Sequence, residues 1–327
     1  MLSRMKIPVA RAVAEVVEIT IQTVVSSVFI FSVCVSALTS ANCFAQVKDF
    51  KISPITLDEL AIEVNGASRE IAYTNKQSGV YYTETNGRHR SGWQGWRIMS
   101  HEVLEDYAVA LDGIVLRKSD AVKAIAFPNR LERMYPSGVE ERVTMLDSID
   151  AIAIQLQHLP GRRIQLSPLF QDAHRREDYL IRLTDGVLLI AQKNHLVRTP
   201  AEDYPVWLGI MVSPGEHNSA RLIDSAVAID QYFSPATLQS EIIDQTSDIV
   251  LVFGDRETQT VERAKQTMRN LPELLDKRKK RMEALLNYSY VRTDNTRFDK
   301  ALYWAKLSLD ALIMNQRGKT RLAAGAI

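Results

Sequence analysis

Cysteine is nearly missing from this sequence: the 327 residues include only Cys34 and Cys43, and both fall within the first 46. Without those 46 residues the chain has no thiol, which excludes disulfide staples and cysteine catalysis from the rest. An excess of charge of one sign is missing too. Lys plus Arg number 40 against 39 Asp plus Glu, a formal charge of +1, so no bulk field favours nucleic acid or an acidic membrane. The six histidines, His89, His101, His158, His174, His195 and His217, are dispersed. None forms a pair at helical ligand spacing, and His101-Glu102 lacks the second histidine of a zinc-hydrolase helix, so no metal site is expected. No Gly-x-Ser-x-Gly elbow is present for a serine nucleophile.

What is present begins with a leader. Arg4, Lys6 and Arg11 make a basic start, Val24 to Leu38 is apolar apart from serines and Cys34, and Cys43-Phe44-Ala45 offers small residues for a signal peptidase. Residues 1–45 read as a signal peptide cleaved near Ala45, which makes the protein exported, periplasmic or secreted. The alternative is an uncleaved membrane anchor, because Val16 to Leu38 nearly spans a bilayer. Glu15 and Glu18 are unusual in a leader, and Ser40-Ala41-Asn42 before Cys43 does not favour a lipoprotein.

From Ile52 to about Phe253 short β-branched and aromatic runs alternate with turn signals. The runs include Ile71 to Thr74, Val80 to Thr83, Tyr107 to Leu111, Gly113 to Arg117, Val122 to Pro128 and Leu131 to Tyr135. Asn86-Gly87, Asp112-Gly113, Pro136-Ser137-Gly138, Pro160-Gly161 and Asp185-Gly186 punctuate them, and Tyr107 to Arg117 reads as a hairpin whose turn sets its register. This spacing predicts a mainly β fold built on a large antiparallel sandwich.

Ile249-Val-Leu-Val-Phe253 is a wholly apolar strand, and Gly254-Asp255 leads to a helix with Val261, Ala264, Met268 and Leu271 on one face. Strand, glycine and helix are half of a nucleotide-binding unit. The further glycines and the Lys-Ser/Thr pair are lacking, so no nucleotide site is expected. Pro272 opens a second helix, supported by Leu275, Met282 and Leu286 to about Asn287. Within it, Lys277-Arg-Lys-Lys-Arg281 reads as a solvated linker face rather than a polyanion site.

The last stretch is strongly amphipathic. Phe298, Leu302, Ala305, Leu309 and Leu312 recur at steps of four, three, four and three, the spacing of one helix face, and are expected to face the core. Asp294 or Asn295 caps its start and Gly318 stops it, giving a helix over 296–316. Trp304, Leu307, Ala311 and Met314 add apolar surface on other sides, so more than one neighbour is needed to cover it. About ten residues follow this helix, which points to partners in sequence beyond this chain.

Candidate chemistry is sparse. The carboxylate groups are Glu140 with Glu141, Glu102 with Glu105 and Asp106, and Asp147 with Asp150. Each lies beside a turn or alternating strand, where acidic residues usually face water. Tyr81, Tyr82, Trp93, Gln94, Trp96 and Arg97 are the best candidates for substrate binding. Flat rings suit the apolar faces of a pyranose and polar groups its hydroxyls, while the competing reading is that the tryptophans fill the sandwich. Asn287-Tyr288-Ser289 matches a glycosylation acceptor, a common tripeptide read as idle.

Two stretches carry a family resemblance. Arg297-Phe-Asp-Lys-Ala-Leu-Tyr-Trp-Ala-Lys-Leu-Ser-Leu-Asp-Ala-Leu-Ile-Met314 resembles the first helix of the α/α toroid in glycogen-debranching, amylo-α-1,6-glucosidase-like six-hairpin glycosidases. Tyr73 to Glu84, with Gly92-Trp-Gln-Gly-Trp-Arg97, resembles early strands of the sandwich that precedes that barrel. The resemblance implies residues 46–271 as an N-terminal β-sandwich (supersandwich) with a late strand-helix unit. It further implies 272–295 as a helical linker and 296–327 as the first helix of a truncated toroid. An inverting glucosidase acting on α-glucan through two carboxylates, roughly 6.5 to 9.5 Å apart, is implied for the whole enzyme. Those carboxylates come from later helices without counterparts here, so no catalytic residue carries over and the fragment is expected to be inactive. Its implied partners are an α-glucan or oligosaccharide and the missing barrel or a partner chain, with no cofactor, nucleic acid or nucleotide. The alternative is a free-standing secreted carbohydrate-binding or structural sandwich.

Overall fold

The structure is a computed structural model and describes residues 55–65, 67–87, 94–99, 101–159, 163–171, 175–193, 206–213, 220–224, 226–229, 232–242, 244–316 and 318–322. The proposed leader, both cysteines, Trp93, the Pro160-Gly161 turn and the histidines at 89, 174, 195 and 217 lie outside them. The described residues belong to a compact unit, Pro54–Ile327.

Its largest sheet has nine strands. They run in the order Ile62–Val64, Lys123–Ala126, Leu131–Met134, Glu140–Met145, Ala151–Gln157, Thr246–Gly254, Trp207–Val212, Val187–Gln192 and Tyr179–Thr184. Every neighbouring pair is antiparallel. The central strands carry uninterrupted apolar runs, Ala151 to Ile154 and Ile249 to Phe253, where both faces are covered. From Ala151–Gln157, Ile152 and Ile154 enter one core while Ala151 and Ala153 enter another. From Thr246–Gly254, Ile249 and Leu251 separate in the same way from Val250 and Val252. A period of two thus feeds two cores from single strands.

One face is covered by two smaller antiparallel sheets. The first, of seven strands, contains Asp106–Leu111, Ile114–Leu116, Arg163–Gln171 and Thr237–Glu241. The second has four, Glu70–Thr74, Gly79–Glu84, Gly95–Ile98 and His101–Leu104. The expected Tyr107 to Arg117 hairpin is present, with Leu111 opposite Ile114. Its turn residues Asp112 and Gly113 both have positive φ, 49° and 88°, as do Asp185 and Gly186 at 51° and 77°. Positive φ at both central residues is the requirement of a tight hairpin turn matched to strand twist, which is why Asp-Gly occupies both.

The other face is covered by helix α1, Glu257–Arg269, with Val261 and Ala264 pressed on Val250, Val252, Val187 and Trp207. Helix α2, Leu271–Asn287, follows with proline in its first turn. Helix α3, Thr296–Leu312, is capped by Asn295, whose side chain accepts from the backbone N–H groups of Arg297 and Phe298. A third core joins α2 and α3 to residues 55–60 through Leu57, Leu60, Met282, Leu286, Tyr303 and Leu307.

Helix α3 corrects two expectations. It ends at Leu312 rather than 316, and Gly318, at φ 75°, turns a terminal hairpin of Ile313–Gln316 with Lys319–Leu322. The stripe expected to face the core faces outward instead: Phe298 is 53% exposed, Leu302 37% and Leu309 62%, and Ala305 is exposed as well. The buried side is set by Asp299, Tyr303 and Leu307. The physical reason is polar anchoring that periodicity does not see. Asp299 accepts from Thr293, Tyr303 Oη bonds both the N–H and the carbonyl of Val291, and Trp304 donates to the Leu60 carbonyl at 2.8 Å.

Candidate functional site

The β-ladder brings the expected aromatic group partly together. Strand Gly79–Glu84 pairs with Gly95–Ile98 so that Tyr81 lies opposite Trp96 and Val80 opposite Arg97. Alternation then sends Tyr81 and Trp96 to one side and Arg97 to the other. Tyr81 is 1% exposed and Trp96 0%; both rings are part of the sandwich core and neither offers a face to a sugar. Tyr82 and Arg97 remain half-buried, and Arg97 Nη2 bonds Glu102 Oε2 at 2.8 Å. Gln94 is buried with its amide Nε2 3.5 Å from Asp106 Oδ2. Packing, rather than stacking on a ligand, is therefore what this arrangement gives Tyr81 and Trp96.

Beside them lies a polar centre of which the sequence signalled only the carboxylates Glu141 and Asp106. Arg133 is fully buried; its Nη1 lies 2.6 Å from Glu141 Oε2, and Nε and Nη2 donate to the backbone carbonyls of Thr85 and Glu84. The hydroxyls of Tyr107 and Tyr135 donate to the same carboxylate at 2.7 and 3.1 Å. Burial works against the charge of Glu141, but Arg133 and then Lys118, with the Tyr107 hydrogen bond, hold its carboxyl below the usual range. Burial first and Glu141 second push the Tyr107 and Tyr135 hydroxyls well above theirs. The carboxylate stays ionised and the phenols protonated, so the cluster fixes donors and acceptors rather than exchanging protons. Asp106 is bonded by Lys118, whose ammonium also stands 4.1 Å over the Tyr107 ring.

Burial of these acids overturns the expectation that they face water. Glu105, Asp106, Glu141 and Asp147 are all buried, Asp106 and Glu141 on strands, Glu105 between two strands and Asp147 in the turn after Glu140–Met145. Asp106 bonds Lys118, Glu141 bonds Arg133, and Asp147 accepts from Arg278 at 2.5 Å and from Arg281. A buried charge survives only when paired and hydrogen-bonded, which is the physical reason acids are found here. Asp150 differs. Burial raises its pKa, against a hydrogen bond from Asn75 and the charge of Arg263.

The basic run of α2 is likewise corrected. Arg278 is 1% exposed and donates to the carbonyls of Asn129 and Thr74, while Arg281 bridges Asp147 to Asp310 of α3. Lys279 and Lys280 face water beside Glu283 and Asp276. The run is half staple and half solvated face, because a helix turns successive residues by about 100°. Among the described residues no cluster of three or more His, Cys, Asp or Glu could hold a metal ion. His101 lies near the Phe253 ring and His158 near Glu140 at the surface.

Comparison with known proteins adds only distant structural similarity. The sequence matches no family model and no curated protein. Among solved structures the chain is similar to a protein from the human microbiome described as a kojibiose phosphorylase, at 9% identity and TM-score 0.48, covering 80% of this chain and 43% of that one. A family GH92 inverting mannosidase from Bacteroides thetaiotaomicron gives 8% identity and TM-score 0.45, with 73% and 36% covered. A bacterial glucoamylase complexed with acarbose gives 13% identity and TM-score 0.41, with 77% and 44% covered. The chain thus spans less than half the length of these proteins.

Proposed function

We propose that this chain is the N-terminal, non-catalytic part of an exported glycoside hydrolase of glycogen-debranching type, inactive without a downstream α/α barrel. The observation that carries this reading is the outward apolar face of α3. Phe298, Leu302, Ala305 and Leu309 lie on one side of a helix whose other side is already docked, and a contiguous apolar helix face in water calls for a covering partner. In a toroid that partner is the next helix. The resemblance of Arg297 to Met314 to the first barrel helix supplies the same position independently. The complete enzyme would act on α-glucan, with the α-1,6 branch as its bond, and its two carboxylates would lie in the barrel. Export rests on the leader before Ala45.

A second reading, a free-standing secreted carbohydrate-binding or structural sandwich, is favoured by the anchoring of α3 through Tyr303, Trp304 and Leu307. Intact-mass spectrometry of the protein from its source separates the two. A mass well above 36.9 kDa is expected; a mass near or somewhat below it overturns the hydrolase reading in favour of the sandwich. Purified as these 327 residues, the chain is expected to release no glucose from a branched maltooligosaccharide.

A further inference from the structure

The outer face of the seven-stranded sheet carries a cleft of ≈ 300 Å³, at the lower end of the size range of small-molecule sites, roughly 300 to 1,000 Å³. Its floor follows from register. Gln165 lies opposite both Ala110 and Gln239, and Ala110 opposite Val115, which makes one cross-strand row. The neighbouring row places Ala108 opposite Ser167, whose hydroxyl is 2.7 Å from that of Thr237. Arg117, one residue past the Leu116–Val109 pair, ends this second row. Sheet faces turned to water usually carry long polar chains; here alanines and hydroxyls leave a trough.

The lining has three chemical parts. Ser167 and Thr237 share one hydroxyl hydrogen between them, so the pair has a second to donate elsewhere. Gln165 gives its Nε2 to Gln239 at 3.0 Å and has its carbonyl oxygen left to accept. Ile223 and Ile229 form an apolar wall. Among the described residues, Arg117 is the one charged residue lining the cleft and has no ion-pair partner. An exposed guanidinium without a described ion-pair partner, beside donors, an acceptor and an apolar wall, fits a ligand with a carboxylate, several hydroxyls and a C–H face. We propose that this cleft binds an acidic monosaccharide of the hexuronate class, with Arg117 on the carboxylate and the Ser167/Thr237 pair on ring hydroxyls. The cleft lies wholly in the sandwich and is independent of what covers α3.

The test is calorimetric titration of the full chain with glucuronate and, separately, glucose, for the wild type, Arg117→Ala and Ala110→Phe, with thermal melts confirming that each is folded. Saturable glucuronate binding is expected in the wild type, weakened at least tenfold by Arg117→Ala and abolished by Ala110→Phe, with glucose binding at least tenfold weaker than glucuronate. The proposal is overturned by a folded wild type that shows no saturable glucuronate binding, by equal binding of glucose, or by unchanged binding in Arg117→Ala. Arg117 is exposed on the sheet edge, so its variant keeps the test decisive if Ala110→Phe does not fold.

Discussion

Arg278 and Asp147 stand 131 residues apart in sequence and 2.5 Å apart in space, both almost removed from water. Their contact fastens α2 to the rim of the nine-stranded sheet, and Arg281 extends it through Asp147 to Asp310 of α3. The helices are thus tied to the sandwich by charge as well as by apolar packing.

Removing one partner of a buried pair leaves the other charge uncompensated. Arg278→Ala is expected to lower unfolding stability by about 3 to 5 kcal/mol in urea denaturation. A loss below about 1 kcal/mol would place this pair with ordinary surface bridges.

The Glu141 centre gives a pH dependence of definite sign. Its carboxyl is held below the ordinary 4.5 in the folded protein, so its stabilisation is fully present above that value and lost as pH falls through the folded-state value. Wild-type stability should therefore decline with acidification below about pH 4.5, while Glu141→Gln, weaker at neutral pH, should show a shallower decline. Parallel curves for the two proteins would rule the group out as the source.

The two faces of α3 should respond oppositely. Leu307→Ala, on the docked side, is expected to cost about 2 to 5 kcal/mol, whereas Leu309→Lys should stay within about 0.5 kcal/mol of wild type. Chemical denaturation of both checks the assignment. A large loss in Leu309→Lys would mean that the stripe is covered within the chain itself.

Gly186 has room for a Cβ but a φ of 77°. Gly186→Ala is expected to destabilise by about 1 to 2 kcal/mol through backbone strain alone, read as a lowered melting temperature with unchanged far-UV circular dichroism. No change would show that the turn relaxes to another type.

Local sequence was a good guide wherever the deciding interaction was local. The strand runs, the Asp-Gly hairpins, the wholly apolar strand at 249–253, proline at the start of α2 and a cap at Asp294 or Asn295 could all be read because turn geometry and period-two burial act between residues close in the chain. The site was less legible. The pairing of Tyr81 with Trp96 across two strands turns both rings inward, and no spacing along one strand shows which face the core will take. Arg133 with Glu141, and Arg278 with Asp147, look like surface charges in sequence, since only the fold supplies the partners that make their burial tolerable.

The case of α3 marks the boundary most clearly. Amphipathicity was decided by sequence alone, since the period of the apolar residues guarantees a helix with an apolar face. Which face docks was decided by tertiary structure. The Asp299, Tyr303 and Trp304 hydrogen bonds to residues 293, 291 and 60 fix the helix rotation, and polar groups that must be satisfied on burial outweighed the larger but undirected pull of Phe298, Leu302 and Leu309.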